Sequence, residues 1–237
     1  MTNTYLYICQ TNIAKTCDIS LLSLTPLAEA LPYQAGQYVE ILLRSGESLL
    51  LSIANAPTEH GQIEFHLRHD SSHPLAQLFL RELSEAPTAV LRGPFGVSTL
   101  EAASMGDRLI FVAGGTGFAP IKALLETALP ENRPQLILYW GIKRPEDAYE
   151  IPLLEKWKQH YPHFDYTLVL SDPAFAATWP DPTGLVHDHV ARMHTNMKDL
   201  CLFASGPYEM IKRAQDLFSL NGLPHDRFIS DMATKPV

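Results

Sequence analysis

The residues with the clearest chemical content are Gly114-Gly115-Thr116-Gly117-Phe118-Ala119-Pro120, which follow an apolar run and open a helical pattern. Glycines let backbone amides approach a ligand closely, and a helix N-terminus offers unpaired N–H groups and partial positive charge to an anion. The chemistry this spacing points to is phosphate binding. Neither common fingerprint fits: a P-loop places lysine directly after its last glycine, and Lys122 stands five positions past Gly117. The Rossmann spacing wants glycine or alanine where Pro120 stands. The alternative is a glycine-rich turn that only starts a helix.

Further short motifs punctuate the chain at the ends of strand patterns. Arg92-Gly93-Pro94-Phe95-Gly96, Tyr139-Trp140-Gly141 and Ser205-Gly206-Pro207-Tyr208-Glu209-Met210 each close one, and Ser52-Ile53-Ala54-Asn55-Ala56-Pro57 ends another. Other chemistries find no support. His187 and His189 diverge by about 200° on a helix and cannot share an ion, and His194 lies too far along for a common ligand sphere. No metal site is expected. No Gly-x-Ser-x-Gly elbow exists for acyl transfer.

The elements that must position these residues fall into two kinds. Up to about residue 95 the period is two: Tyr5–Ile8, Cys17–Leu21, Tyr38–Leu43, Leu49–Ile53, Gln62–Leu67 and Ala89–Arg92 read as short strands. One helix interrupts over His73–Leu83, with Ser71 or Ser72 as N-cap and Pro74 in its first turn. That pattern predicts a small antiparallel barrel. Beyond Ser98 apolar strands at 108–113, 135–140, 166–170 and 200–204 alternate with helical patterns at 118–129, 151–160, 185–193 and 207–220, with a short tail strand at 227–229. Such alternation predicts a parallel sheet covered on both faces. The expected architecture is therefore two-domain, an N-terminal antiparallel β-barrel over 1–101 and a C-terminal α/β parallel-sheet domain over 102–237.

Composition bounds the rest. The 237 residues suit two compact domains at about 100–150 residues each. With 18 Lys plus Arg against 26 Asp plus Glu, a formal charge of -8 argues against nucleic-acid binding through bulk charge. Cys9, Cys17 and Cys201 are too few for a disulfide framework or for a four-thiolate iron–sulfur cluster. No signal peptide and no membrane span is read from the apolar runs, so a cytoplasmic location is expected.

Together, the barrel signals, Gly93 to Gly96, the Gly114–Pro120 loop, Tyr139-Trp140-Gly141 and Ser205–Met210 resemble the ferredoxin–NADP reductase superfamily. They run in family order over essentially the whole chain, which looks most like the stand-alone NAD(P)H–flavin reductases. The resemblance implies a barrel that holds the isoalloxazine of riboflavin, FMN or FAD and a sheet that holds NADH or NADPH. Ser52 matches the serine that approaches flavin N5, with Leu51, Ile53, Ala54 and Asn55 along the flavin edge. It also implies cofactor contacts from His66, Gly93, Gly96, Gly114, Gly115, Thr116, Gly117, Pro120, Trp140, Gly141, Gly206 and Pro207. Asp231 falls where relatives carry an acidic residue near the flavin, although a surface tail aspartate fits equally.

Two departures stand out. Leu49 replaces the arginine that holds a flavin phosphate in relatives, and Asp70-Ser71-Ser72-His73 stands where a glycine-plus-serine phosphate loop is expected. Losing the arginine removes a charge-assisted contact worth about 1.5–3 kcal/mol. Arg68 is a possible substitute, or simply an exposed strand-end arginine. The expectation is a weakly held flavin that acts as substrate. After Gly141, Lys143 and Arg144 suit a ribose 2′-phosphate, whereas Glu146 and Asp147 suit a bare 2′-hydroxyl, so use of either nucleotide is expected. Two rival readings remain: a bound flavin passing electrons to an electron-accepting protein with an iron–sulfur centre, and a non-catalytic nucleotide-binding module.

Overall fold

The structure, a computed structural model, describes residues 3–131 and 133–231. Strands β1 (Thr4–Ala14), β2 (Ile19–Pro26), β3 (Tyr38–Leu42), β4 (Ser48–Ser52), β5 (Ile63–Arg68) and β6 (Thr88–Phe95) form one antiparallel sheet ordered β4-β3-β6-β1-β2-β5. Alternation turns Tyr5 and Tyr7, Val39 and Ile41, and Ile63, Phe65 and Leu67 into one core. The edges meet where the chain leaves β4. There the Ala54 N–H donates to the Glu64 carbonyl at 2.8 Å, and Asn55 Oδ1 accepts the Glu64 N–H at 2.7 Å.

Helix α1 (Pro74–Glu85) covers this barrel through Ala76, Phe79 and Leu83. Pro74 takes the first turn as expected, but the N-cap is His73 rather than Ser71 or Ser72. The reason is Asp70, whose Oδ1 accepts the Ser72 N–H at 2.8 Å, the Ser72 hydroxyl, and His73 Nδ1 at 2.8 Å.

The second sheet is parallel throughout: β7 (Arg108–Gly114), β8 (Gln135–Ile142), β9 (Phe164–Leu170), β10 (Leu200–Ser205) and β11 (Phe228–Ile229), ordered β11-β10-β7-β8-β9. Leu109, Phe111, Leu138 and Trp140 face α2 (Phe118–Ala128) and α3 (Ile151–His160). Ile110, Val112, Tyr139 and Leu202 face α4 (Val186–Met193) and α5 (Tyr208–Leu220). Both faces are covered, which is why these strands read as apolar runs rather than alternations. Among the described residues no helix is long and apolar enough to cross a membrane.

A polar seam joins the two sheets. Lys122 Nζ donates to Ala54 O at 3.0 Å, Glu64 Oε2 at 2.9 Å and Glu126 Oε1 at 2.7 Å, and Glu126 Oε2 accepts the Ala56 N–H at 2.9 Å. Burial works against the Lys122 charge, but Glu126 and Glu64 outweigh it and hold the ammonium above its ordinary range. Lys15 pairs with Glu150 at 2.7 Å, and Ile19 and Ala35 from the barrel side join the apolar cluster of the parallel sheet.

Candidate functional site

A cleft of about 950 Å³ opens between the end of β4 and the carboxyl ends of β7, β8 and β10. That is the usual ligand position in a parallel sheet, at the upper end of small-molecule cavity sizes. A pocket of about 150 Å³ adjoins it and shares Leu50, Leu51, Ser52 and Ser205.

The barrel wall starts at β4. Ser52 pairs with Tyr38 across the ladder, half-buried, and its Oγ makes no hydrogen bond among the described residues. Leu49 lies opposite Ile41 and packs on the barrel core, so β4 carries no cation toward the cleft. On β5, His66 is 5% exposed and its Nδ1 lies 2.9 Å from the Tyr149 hydroxyl. Its Nε2 is buried without a hydrogen-bond partner among the described residues, and the residue lines the cleft. Burial, then Lys122 and Lys15, hold His66 well below the usual histidine range, so the ring is neutral.

Arg68 is not an exposed strand end but a half-buried arginine that lines the cleft. Its Nη1 donates to Asp18 Oδ2 at 2.6 Å and its Nη2 to Asp147 Oδ1 at 3.1 Å. Arg144 joins the same cluster, with Asp18 at 3.5 Å, Glu146 at 3.5 Å and Asp147 at 3.9 Å, and it does not line the cleft. Lys143 does line it and carries no ion pair among the described residues.

The sheet wall is the glycine loop. Gly114 ends β7, residues 115–117 make one tight turn, and α2 follows from Phe118. A Cβ on Gly117 would come within 2.3 Å of Ser205 O, so that glycine is required by the chain at the end of β10 rather than by a ligand. Gly115, at φ +54, meets nothing nearer than Arg68 Nη2 at 3.9 Å and is the one open to the cleft. Trp140 holds the loop from beneath: its Nε1 donates to Gly115 O at 2.9 Å while its ring stacks on Phe118 at 4.2 Å.

The two cavities bring together Leu51, Ser52, His66, Arg68, Gly114, Gly115, Thr116, Gly117, Gly141, Lys143, Gly206 and Pro207, with Pro120 and Asp231 in the smaller one. Several expectations need correction. Ile53, Ala54 and Asn55 are buried and line neither cavity. Their groups close the barrel instead: Ile53 N–H donates to Gln37 O, and Asn55 Nδ2 donates to Ala56 O and Gln62 O. Trp140 is fully buried and cannot touch a ligand. Gly93 and Gly96 lie outside both cavities and shape the turn that Asp231 clamps, its Oδ1 accepting the Val97 N–H at 3.0 Å and its Oδ2 the Ser98 N–H at 3.3 Å.

Sequence reasoning missed His187 and Arg213, which line the cleft, and Lys122 and Tyr149, which support it. A signal for Lys122 was present, namely a lone Lys–Glu pair at spacing four on an otherwise apolar helix. Tyr149 carried none, because its partner lies 83 residues away.

The family model described as "Oxidoreductase NAD-binding domain" matches residues 111–216. A probable flavin reductase of Aliivibrio fischeri is 31% identical over 186 residues, covering 77% of this chain and 77% of its own. The CDP-6-deoxy-L-threo-D-glycero-4-hexulose-3-dehydrase reductase of Yersinia pestis is 32% identical over 216 residues, 90% of this chain. The chain spans only 64% of that relative's length. Among solved structures, a ferredoxin NADP+ reductase from Neisseria gonorrhoeae with bound FAD and NADP superposes with TM-score 0.78 at 15% identity, over 96% of this chain and 98% of its own. At that identity the likeness concerns the fold, which is the barrel and parallel sheet described above. By sequence and by fold, the chain belongs to the ferredoxin–NADP reductase superfamily, with a flavin reductase among its relatives.

Proposed function

We propose that this chain moves a hydride from NADH or NADPH to a flavin that enters and leaves as a substrate, with residues 1–101 on the flavin side and 102–237 on the nucleotide side. The observation that carries the reading is Ser52. Its Oγ, without a protein partner, sits where the two cavities join, on the cleft that Gly115, Thr116 and Gly206 also line.

When bound, the nicotinamide supplies a hydride and the flavin accepts it at N5. The chain's own groups do the rest. Ser52 Oγ–H donates toward N5 and holds a proton there. His66, held by Tyr149 through Nδ1, leaves Nε2 without a partner as a second polar group along the same wall. The turn at Gly115–Gly117 and the start of α2 present N–H groups to the nucleotide phosphates. Gly206 and Pro207 face the nicotinamide from the end of β10.

Three features favour an exchangeable flavin. Leu49 packs on the barrel core, Arg68 is paired with two carboxylates, and Asp70, ahead of α1, sets a carboxylate against His73 on the cleft wall. Among the described residues the barrel wall therefore offers no unpaired arginine or lysine to a flavin phosphate. The cytoplasmic location expected from the sequence goes with this reading.

NADH and NADPH oxidation, with and without riboflavin, FMN and FAD, tests it after the spectrum of the purified chain is recorded. Colourless protein that turns over only with added flavin, riboflavin included, supports the proposal. Yellow protein that needs only an artificial electron acceptor contradicts it and favours electron delivery to a protein. The Yersinia relative, named as a reductase for a dehydrase, and a Comamonas reductase component of terephthalate 1,2-dioxygenase make that the competing outcome. Silence in every combination leaves only a nucleotide-binding module.

A further inference from the structure

Behind the cleft, Tyr149 touches both of its walls. Its hydroxyl lies 2.9 Å from His66 Nδ1 on β5, and its ring meets the His66 ring edge-on at 5.4 Å. The same ring meets Trp140 edge-on at 5.2 Å, and Trp140 Nε1 donates to Gly115 O at 2.9 Å. Tyr149 is 8% exposed, His66 5%, and Trp140 is fully buried. A contiguous buried chain therefore runs from Gly115, open to the cleft at one end, to His66 at the other, whose Nε2 is a polar atom without a partner.

Packing does not call for the Tyr149 hydroxyl. A phenylalanine ring would fill the same space between Trp140 and His66, and among the described residues the hydroxyl has His66 as its partner. Burial, then the neighbouring Glu150, keep it protonated. The backbone beneath is fixed by other means: Arg144 lies 3.5 Å from Asp18, Asp147 3.1 Å from Arg68 and Glu150 2.7 Å from Lys15. These three ties hold residues 144–150 to the barrel whatever side chain stands at 149. The hydroxyl is left to set the His66 ring.

Each link is a close-packed buried contact, so a constraint imposed at one end is not absorbed in between. An anion on the N–H groups of the 115–117 turn fixes the Gly115 peptide, and with it the indole, the Tyr149 ring and His66. A second ligand then meets a wall already ordered and loses less conformational freedom on binding. We propose that Tyr149 is a positioning residue that relays nucleotide binding at the glycine loop to His66, so that nucleotide and flavin tighten each other's binding. The relay rests on the two-ligand reading above, and by linkage the same factor applies to either ligand.

The test follows the histidine ring nitrogens of the intact 15N-labelled chain by NMR as ADP is added, with His66→Gln identifying the His66 signals. ADP carries the phosphates without the nicotinamide, so nothing is reduced. Fluorescence quenching then gives the riboflavin dissociation constant with and without saturating ADP. The expected result is that ADP moves the His66 signals and tightens riboflavin about five- to tenfold. Tyr149→Phe should lose both effects while its affinity for ADP stays within about twofold. Trp140→Phe, which removes the indole N–H at the other end, should lose them too. Tyr166→Phe, which deletes a hydroxyl bonded to Glu155 on the edge strand β9, should keep them. A Tyr149 that only supports the fold would lower the unfolding midpoint in Tyr149→Phe and leave the ADP effect on riboflavin unchanged, which overturns the proposal. His66 signals that stay still in the native chain, or move equally in Tyr149→Phe, overturn it as well. Riboflavin that fails to bind the native chain sinks the flavin reading alone. A His66 shift present in that chain and lost in Tyr149→Phe still supports the relay.

Discussion

The two walls of the cleft are built on opposite electrostatic terms. On the barrel side Arg68 is paired inside the protein with Asp18 and Asp147, and Arg92 with Glu40. Just ahead of α1, Asp70 holds Ser72 and His73. What remains there is Ser52, one ring nitrogen of His66, and the aliphatic Leu50 and Leu51. On the sheet wall Lys143 and Arg213 form no ion pair among the described residues and stand beside an open glycine turn and an uncapped helix. On the proposed reading the difference shows how one cleft would handle two ligands, a flavin met mainly by shape and a nucleotide met by its phosphates.

The largest effect should come from breaking the seam that holds the walls together. Lys122→Met leaves Glu64 and Glu126 facing each other without a cation, and removing one partner of a buried pair costs about 3–5 kcal/mol. Denaturant unfolding of the variant measures it. Next, Ser52→Ala should lower the rate of flavin reduction about 100-fold, the scale of a lost proton-positioning group. Single-turnover reduction of riboflavin followed by absorbance checks this.

A pH series sharpens the barrel side. His66 is neutral in the fold because burial holds its affinity for protons down, so its stabilising contribution is present above the unfolded value near 6.5. As the pH falls below that, the unfolded chain gains a proton the fold refuses, and stability drops by up to about 1.4 kcal/mol per pH unit for this group. His66→Gln should flatten the acid limb of the stability curve by one proton's worth, read from urea midpoints across pH. The smallest effect tests the carboxylate just ahead of α1. Asp70→Asn should raise kcat/KM for FMN relative to riboflavin by about two- to fivefold, the size of one charge at a helix terminus.

The order of the elements was legible because each half of the chain keeps one hydrophobic period. Helix α3 spans Ile151–His160 as its pattern predicts, and the 118–129 helix ends one residue early. The glycine loop was legible because a Gly-Gly-Thr-Gly run after an apolar strand has few other uses. The roles of Asn55 and Trp140 were not. The same amide that lines a ligand can close a barrel, and the same indole that stacks on a ring can prop a loop; only partners far along the chain decide. Arg68 shows this most plainly, since Asp18 and Asp147 lie 50 and 79 residues from it. The uncapped start of α4 did leave a trace, because Gly184-Leu185-Val186 offers no Ser, Thr, Asp or Asn where a cap belongs.

The most direct test of the contrast between the walls is the dissociation constant of riboflavin and of FMN, measured by fluorescence quenching at low and high salt. The account predicts two constants within about threefold of each other and indifferent to ionic strength, because no unpaired cation on the barrel wall awaits the phosphate. FMN binding more than about tenfold tighter, with an advantage that fades as salt is raised, would contradict it.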